Sequence, residues 1–134
     1  RLGYGISSDK ALLERMETVR QPWSVSTPAQ AAGLSALKED HREEQTRQLV
    51  KSERERMEKE LENLRIEYIP SEANFLLFNS EINWFEELKK RGILIRDCAN
   101  YRGLGNGWYR LAVRMPEEND RLLECMKQVL NERS

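Results

Sequence analysis

Residues 92–114, GILIRDCANYRGLGNGWYRLAVR, limit what this chain can fold into more than any other stretch. They predict two short strands joined by a glycine-rich loop. Residues 93–96 are an apolar run ending in a charge, and residues 108–114 alternate strictly. Alternate side chains of a strand share a face, so Tyr109, Leu111 and Val113 face a core while Trp108, Arg110, Ala112 and Arg114 face away from it. Gly103, Gly105 and Gly107 suit a connection longer than a tight hairpin. Arg96 and Arg110 then stand near the inner ends of neighbouring strands, with Arg102 in the loop between them. The planar fork of arginine suits two-point binding of a carboxylate or a phosphate. On spacing alone, solvated strand arginines are the simpler reading.

The surrounding pattern supplies a frame for these strands. Two strand-like runs, 65–69 and 73–78, are split by Pro70-Ser71-Glu72. Ser80 is a candidate cap for a helix over 81–91, with Trp84, Phe85 and Leu88 apolar and Gly92 as its stop. Pro116 and the acids Glu117 and Glu118 open a last helix whose stripe is Leu122, Leu123, Met126, Val129 and Leu130. From residue 65 the order is β-β-α-β-β-α, which predicts an α+β unit: a small, mostly antiparallel sheet with helices on one face.

Upstream, residues 1–6 read as a short strand, and Asp9 as the cap of a helix from Lys10 to about Arg20 with Leu12, Leu13 and Met16 on one face. Ser26 or Thr27 caps a second helix, with Pro28 in its first turn. From Pro28 to Leu64 there is no further proline, which predicts a long helix with a break near 38–41. Its first part, rich in alanine, is expected to be buried. Its second carries Val50, Met57, Leu61 and Leu64 at helical spacing, and i, i+4 pairs such as Glu55–Lys59 worth a few tenths of a kcal/mol each.

With 134 residues, a formal charge of −1 and 34% charged side chains, the chain has length for a real core and no basic excess to favour nucleic acid. No apolar run approaches the ~20 residues of a membrane span. Cys98 and Cys125 lie far apart without a CxxC spacing, and read as reduced cytosolic thiols; no metal-ligand cluster is present. The single histidine, His41, lies in a charged helical stretch and reads as solvated. No nucleophile–base pair stands out. The opening RLGYGI, lacking a partner strand nearby, reads as part of something longer.

In order along nearly the whole chain, RLGYGI, PWSVSTPAQAAGLSAL, PSEANFLLF, GILIRDC and YRLAVR resemble the C-terminal third of pyridoxal-phosphate enzymes of the aspartate-aminotransferase fold. They are most similar to the branch holding histidinol-phosphate aminotransferase and threonine-phosphate decarboxylase, and RDCANYRGLGNGWYRLAVRMPEEN looks closest to the decarboxylase. The resemblance implies the small C-terminal domain of that fold at 65–134, a connecting helix at 28–64, and a remnant of the large cofactor-binding domain at 1–27. It implies that Arg1 binds the cofactor phosphate, that Arg110 grips the substrate α-carboxylate, and that Arg96 lies near the substrate phosphate. The Schiff-base lysine is implied upstream of Arg1, so no catalytic residue is assigned here, and Lys10, Lys38 and Lys51 do not replace it. Pyridoxal 5′-phosphate is then the cofactor of the full-length enzyme and is not expected on this chain alone. The implied parent is a cytoplasmic homodimer acting on a small amino acid phosphate, without nucleic acid or membrane partners. Decarboxylation of L-threonine O-3-phosphate for cobalamin assembly is the favoured activity. The alternatives are transamination of histidinol phosphate, or a non-catalytic interaction module built on the charged helix.

Overall fold

The computed structural model describes residues 2–39 and 41–133, in two compact units that meet between Glu43 and Glu44. The first unit holds helices α1 (Lys10–Val19) and α2 (Thr27–Ala36). Both start where their caps predict. Asp9 accepts from the backbone N–H of Leu12 at 3.0 Å, Ser26 accepts from that of Ala29 at 3.4 Å, and Pro28 sits in the first turn of α2. Neither helix buries a residue. The expectation that the alanine-rich segment is buried is therefore corrected: Leu37 is 80% exposed. Amphipathic character directs a face toward a core, but burial requires another element to cover it. Residues 2–6 are not a strand either. A strand exists through its ladder, and the described residues give this segment no partner. Arg1 lies outside the described residues.

The second unit contains most of α3 (Arg42–Asn63), then β1 (Tyr68–Ile69), β2 (Phe75–Asn79), α4 (Trp84–Lys90), β3 (Arg96–Asp97), β4 (Trp108–Ala112) and α5 (Pro116–Asn131). The expected long helix is thus two helices, α2 and α3, with the break where it was anticipated. The four strands form one sheet in the order β1-β2-β4-β3, antiparallel throughout. Leu76 and Phe78 of β2, with Tyr109 and Leu111 of β4, point to one face. There they join Met57 and Leu61 of α3, Trp84 and Leu88 of α4, and Leu122, Leu123, Met126 and Val129 of α5 in a single core. All three helices cover that face, as the α+β reading predicts.

Helix ends decide where the strands start. Ile66 N–H donates to Leu61 O at 2.9 Å and Arg65 N–H to Glu62 O at 2.9 Å, the paired bonds that close a helix through a left-handed residue. Arg65 is that residue, with φ of 56°, so the strand expected at 65–69 starts only at Tyr68. The same closure ends α4: Ile93 N–H donates to Leu88 O and Gly92 N–H to Lys89 O, with Gly92 at φ 74°. Residues 92 and 93 thereby belong to the helix exit, and the strand expected at 93–96 appears as Arg96–Asp97. Asn83, rather than Ser80, caps α4 by accepting from Glu86 N–H at 3.2 Å; Ser80 instead turns the chain by accepting from Ile82 N–H. Glu55 lies 4.0 Å from Lys51, four residues before it, rather than pairing with Lys59.

A buried polar cluster fastens α3 to α5. Asn119, 1% exposed, donates to Glu53 Oε2 at 2.7 Å and brackets the backbone of Arg114, donating to its C=O and accepting from its N–H. The side-chain amide thus stands in for a neighbouring strand just past β4. Arg56 holds Glu53 with two hydrogen bonds and reaches Asp120 at 2.6 Å. Its hydrogen bond keeps the Glu53 carboxyl below its ordinary value of 4.5, against the opposing cost of desolvation, with Asn119 adding to the lowering.

Candidate active site

The sheet face away from the helices carries Arg96 and Arg110. One rung across it reads Ile69, Leu77, Arg110, Arg96, because Ile69 pairs with Leu77, Leu77 with Arg110, and Arg110 with Arg96. The two arginines are therefore direct cross-strand partners. Cβ atoms in such pairs lie about 4.5–5.5 Å apart, and like charges placed there are destabilising. Neither arginine forms an ion pair among the described residues.

Each guanidinium is held by an aromatic ring instead. Arg110 Cζ lies 5.0 Å from the ring centroid of Phe75 on β2, the strand flanking β4 on its other side. Arg96 Cζ lies 5.3 Å from the ring centroid of Tyr101, and Arg96 Nη2 donates to Asn100 Oδ1 at 3.3 Å. From one rung the two side chains go separate ways, one toward β2 and one toward the β3–β4 loop. The rings offset part of the repulsion, at about 0.5–1 kcal/mol for each exposed cation–π contact. The cations remain unneutralised, so the face is prepared for anions.

The loop that carries Tyr101 is built by local bonds. Asp97 Oδ1 accepts from Ala99 N–H at 2.8 Å, Tyr101 N–H donates to Cys98 O at 2.9 Å, and Leu104 N–H donates to Tyr101 O at 3.2 Å. Cys98 N–H donates to Trp108 O at 2.8 Å and closes the loop on the sheet. Gly107, at φ 84°, leaves no room for a side chain, since a Cβ there would sit 2.9 Å from Ser80 O. Cys98 is a buried free thiol and Cys125 a half-buried one. Burial pushes the Cys98 thiol up, with Arg110 and Arg96 opposing.

Of the three residues assigned from sequence, Arg96 and Arg110 meet on this rung and Arg1 lies outside the described residues. Arg102 is exposed in the loop. Arg114 pairs with Glu118 at 3.0 Å, and Asn74 serves β4 through its backbone O, which accepts from Val113 N–H. Sequence reasoning left Asn100 to turn bonding and passed over Phe75 and Tyr101. Phe75 shares the parity of Leu77, but only the β2–β4 register reveals that it lies under Arg110.

The described residues do not build a cradle for pyridoxal phosphate. The orphaned buried polar atom, Trp84 Nε1, lies on a core residue, and the two glycines whose added Cβ would collide, Gly33 and Gly107, face the Leu2 side chain and Ser80 O. The arginine rung presents two guanidiniums without an ion-pair partner among the described residues, a chemistry suited to anions.

Residues 1–125 match the family of aminotransferases of class I and II. The chain belongs to that family. Its enzymes depend on pyridoxal phosphate. The chain is 41% identical over 131 residues to histidinol-phosphate aminotransferase 1 of Archaeoglobus fulgidus, covering 97% of this chain and 40% of that protein. It is 38% identical over 134 residues to the threonine-phosphate decarboxylase of Salmonella typhimurium, covering 97% of this chain and 37% of the relative. Its structure is similar to histidinol-phosphate aminotransferase from Clostridium acetobutylicum, with a TM-score of 0.84 and 28% identity over 92% of this chain and 39% of that one. This aminotransferase-family chain thus spans about two fifths of the length of the relatives it matches. Among its described residues, no helix is long and apolar enough to cross a membrane.

Proposed function

We propose that this chain is the substrate-gripping part of a decarboxylase acting on L-threonine O-3-phosphate in cobalamin assembly. The observation that carries the reading is the arginine rung: two unneutralised guanidiniums start opposite each other and are held apart by Phe75 and Tyr101. A substrate with a carboxylate at one end and a phosphate at the other matches two such clamps. Arg110 binds the α-carboxylate through its planar fork and fixes the direction of the bond to be broken. Arg96 takes the phosphate, aided by its exposure at the loop. Pyridoxal phosphate, held in the whole enzyme by residues other than the described ones, would supply the electron sink. The likeness to the Salmonella decarboxylase supports this choice. The large apolar side chains exposed in the first unit, Tyr4, Ile6, Val19 and Trp23 among them, support the further reading that this unit is a remnant of a larger cofactor-binding domain. By the resemblance, the parent is a cytoplasmic homodimer.

The second reading is transamination of histidinol phosphate, favoured by the 41% identity to the Archaeoglobus aminotransferase. Histidinol phosphate carries one anionic group, so both clamps would be filled together only by the dicarboxylate partner of the reaction. Release of labelled CO₂ from L-threonine O-3-phosphate by the full-length protein supports the decarboxylase, whereas turnover dependent on 2-oxoglutarate supports the aminotransferase. In the same protein, Arg110→Lys lowers kcat/KM by the equivalent of about 2–4 kcal/mol, because a point charge replaces a two-point clamp. Arg96→Ala weakens the phosphorylated substrate and largely spares L-threonine. Equal losses on both substrates would remove the phosphate assignment.

A further inference from the structure

We infer that Tyr101, with Asn100 beside it, is a positioning residue that sets the separation of the two anion clamps and thereby selects substrates anionic at both ends. The inference rests on the reading of Arg96 as the phosphate clamp. Arg96 and Arg110 leave the sheet from the same rung, and arms of this length can converge on one anion. A single phosphate or carboxylate would then recruit both guanidiniums, and the second charge of a doubly anionic substrate would find no partner. Repulsion between the guanidiniums pushes them apart without fixing where they go. The Tyr101 ring, 5.3 Å below the Arg96 guanidinium, and Asn100 Oδ1, 3.3 Å from Nη2, supply that direction.

The support is built on a different element from the one under Arg110. Phe75 belongs to a central strand, while Tyr101 belongs to a loop whose backbone is fixed at Cys98 and Leu104. The spacing of the clamps is therefore a property of how the loop is tied to the sheet. The ring face of Tyr101 makes the contact, and its hydroxyl has no hydrogen-bond partner among the described residues. Phenylalanine should therefore replace it and leucine should not. Tyr101 is 39% exposed, so neither change removes core packing.

The test uses the full-length protein, with binding of L-threonine O-3-phosphate, L-threonine and inorganic phosphate measured by calorimetry alongside KM and kcat. Tyr101→Leu is expected to weaken L-threonine O-3-phosphate about fivefold, the scale of an exposed cation–π contact, while inorganic phosphate, now able to recruit both guanidiniums, binds at least as well as to wild type. It should leave L-threonine binding and kcat within about twofold on the same scale. Tyr101→Phe should restore wild-type values, and Asn100→Ala should cost about threefold, as one exposed hydrogen bond to a charge. In an Arg96→Ala background, Tyr101→Leu should add nothing. If Arg96→Ala weakens all three ligands alike, the phosphate reading of Arg96 is wrong and the inference falls with it. If Arg96→Ala is selective but Tyr101→Leu binds L-threonine O-3-phosphate like wild type, weakens inorganic phosphate equally, or still weakens L-threonine O-3-phosphate without Arg96, the positioning role is overturned and the Arg96 reading stands. A Tyr101→Phe variant that binds no better than Tyr101→Leu overturns it too.

Discussion

The two units use the same local rules and reach opposite outcomes. In the first, α1 and α2 are capped by Asp9 and Ser26, carry leucines and alanines at helical spacing, and bury nothing. In the second, α4 has only seven residues, yet Trp84 and Leu88 are fully buried. Good caps and an apolar stripe thus do not make a helix part of a core. The sheet does that, by giving three helices one surface to share. Isolated helices shorter than about 12–15 residues are marginal in water, and α1 and α2, ten residues each, bury no face that would add to their stability.

Truncating the two sides breaks this comparison if it is wrong. Trp84→Ala empties a site between α4 and the sheet, where the ring meets Phe78 edge-on at 6.3 Å, and should destabilise the second unit by about 3–5 kcal/mol in urea unfolding. Leu13→Ala in α1 should change the same transition by less than about 0.5 kcal/mol. Comparable losses would mean that the first unit belongs to the same cooperative core.

The next effect lies in the buried polar cluster, which the first unit lacks. Glu53→Ala strands the Asn119 amide and part of Arg56, and should cost about 1–3 kcal/mol. The cluster also predicts a pH dependence. With its carboxyl held below 4.5 in the fold, chiefly by the Arg56 hydrogen bond, Glu53 contributes stability above that value. The contribution is lost as pH falls through the lowered folded value. Unfolding midpoints measured from pH 7 downward should therefore drop less steeply for Glu53→Gln than for wild type. An unchanged slope would show that other carboxylates govern acid sensitivity.

The smallest effect sharpens the contrast between two helix ends inside the second unit. α3 and α4 close with the same pair of hydrogen bonds, but α4 uses Gly92 at the left-handed position and α3 uses Arg65. A side chain there costs roughly 1 kcal/mol relative to glycine. Arg65→Gly should raise stability by up to about that amount, read as a higher denaturation midpoint. A lower midpoint would show that the Arg65 side chain makes a contact worth more than the strain.

That helix end also shows why the strand limits were only partly legible. Arg65 carries no glycine signal, so sequence reading extended a strand through a helix cap. At Asn83 the cap was one turn later than the serine that suggested it. Tyr109, Leu111 and most of the α5 stripe follow from periods of two and 3.6 residues, whereas the unbroken apolar run from Phe75 to Phe78 has no alternation to show that Leu76 and Phe78 turn inward. Those periods are local properties of the backbone, so the sequence by itself determined which face of β4 and of α5 turns inward, the β-β-α-β-β-α order, and that Arg96 and Arg110 lie on neighbouring strands. The family followed from ordered motifs in the same way. Only the tertiary structure decided that the two arginines oppose each other on one rung and that Phe75 and Tyr101 draw them apart. Register and loop closure join residues far apart in the chain, and no local period encodes which side chain they bring beneath another.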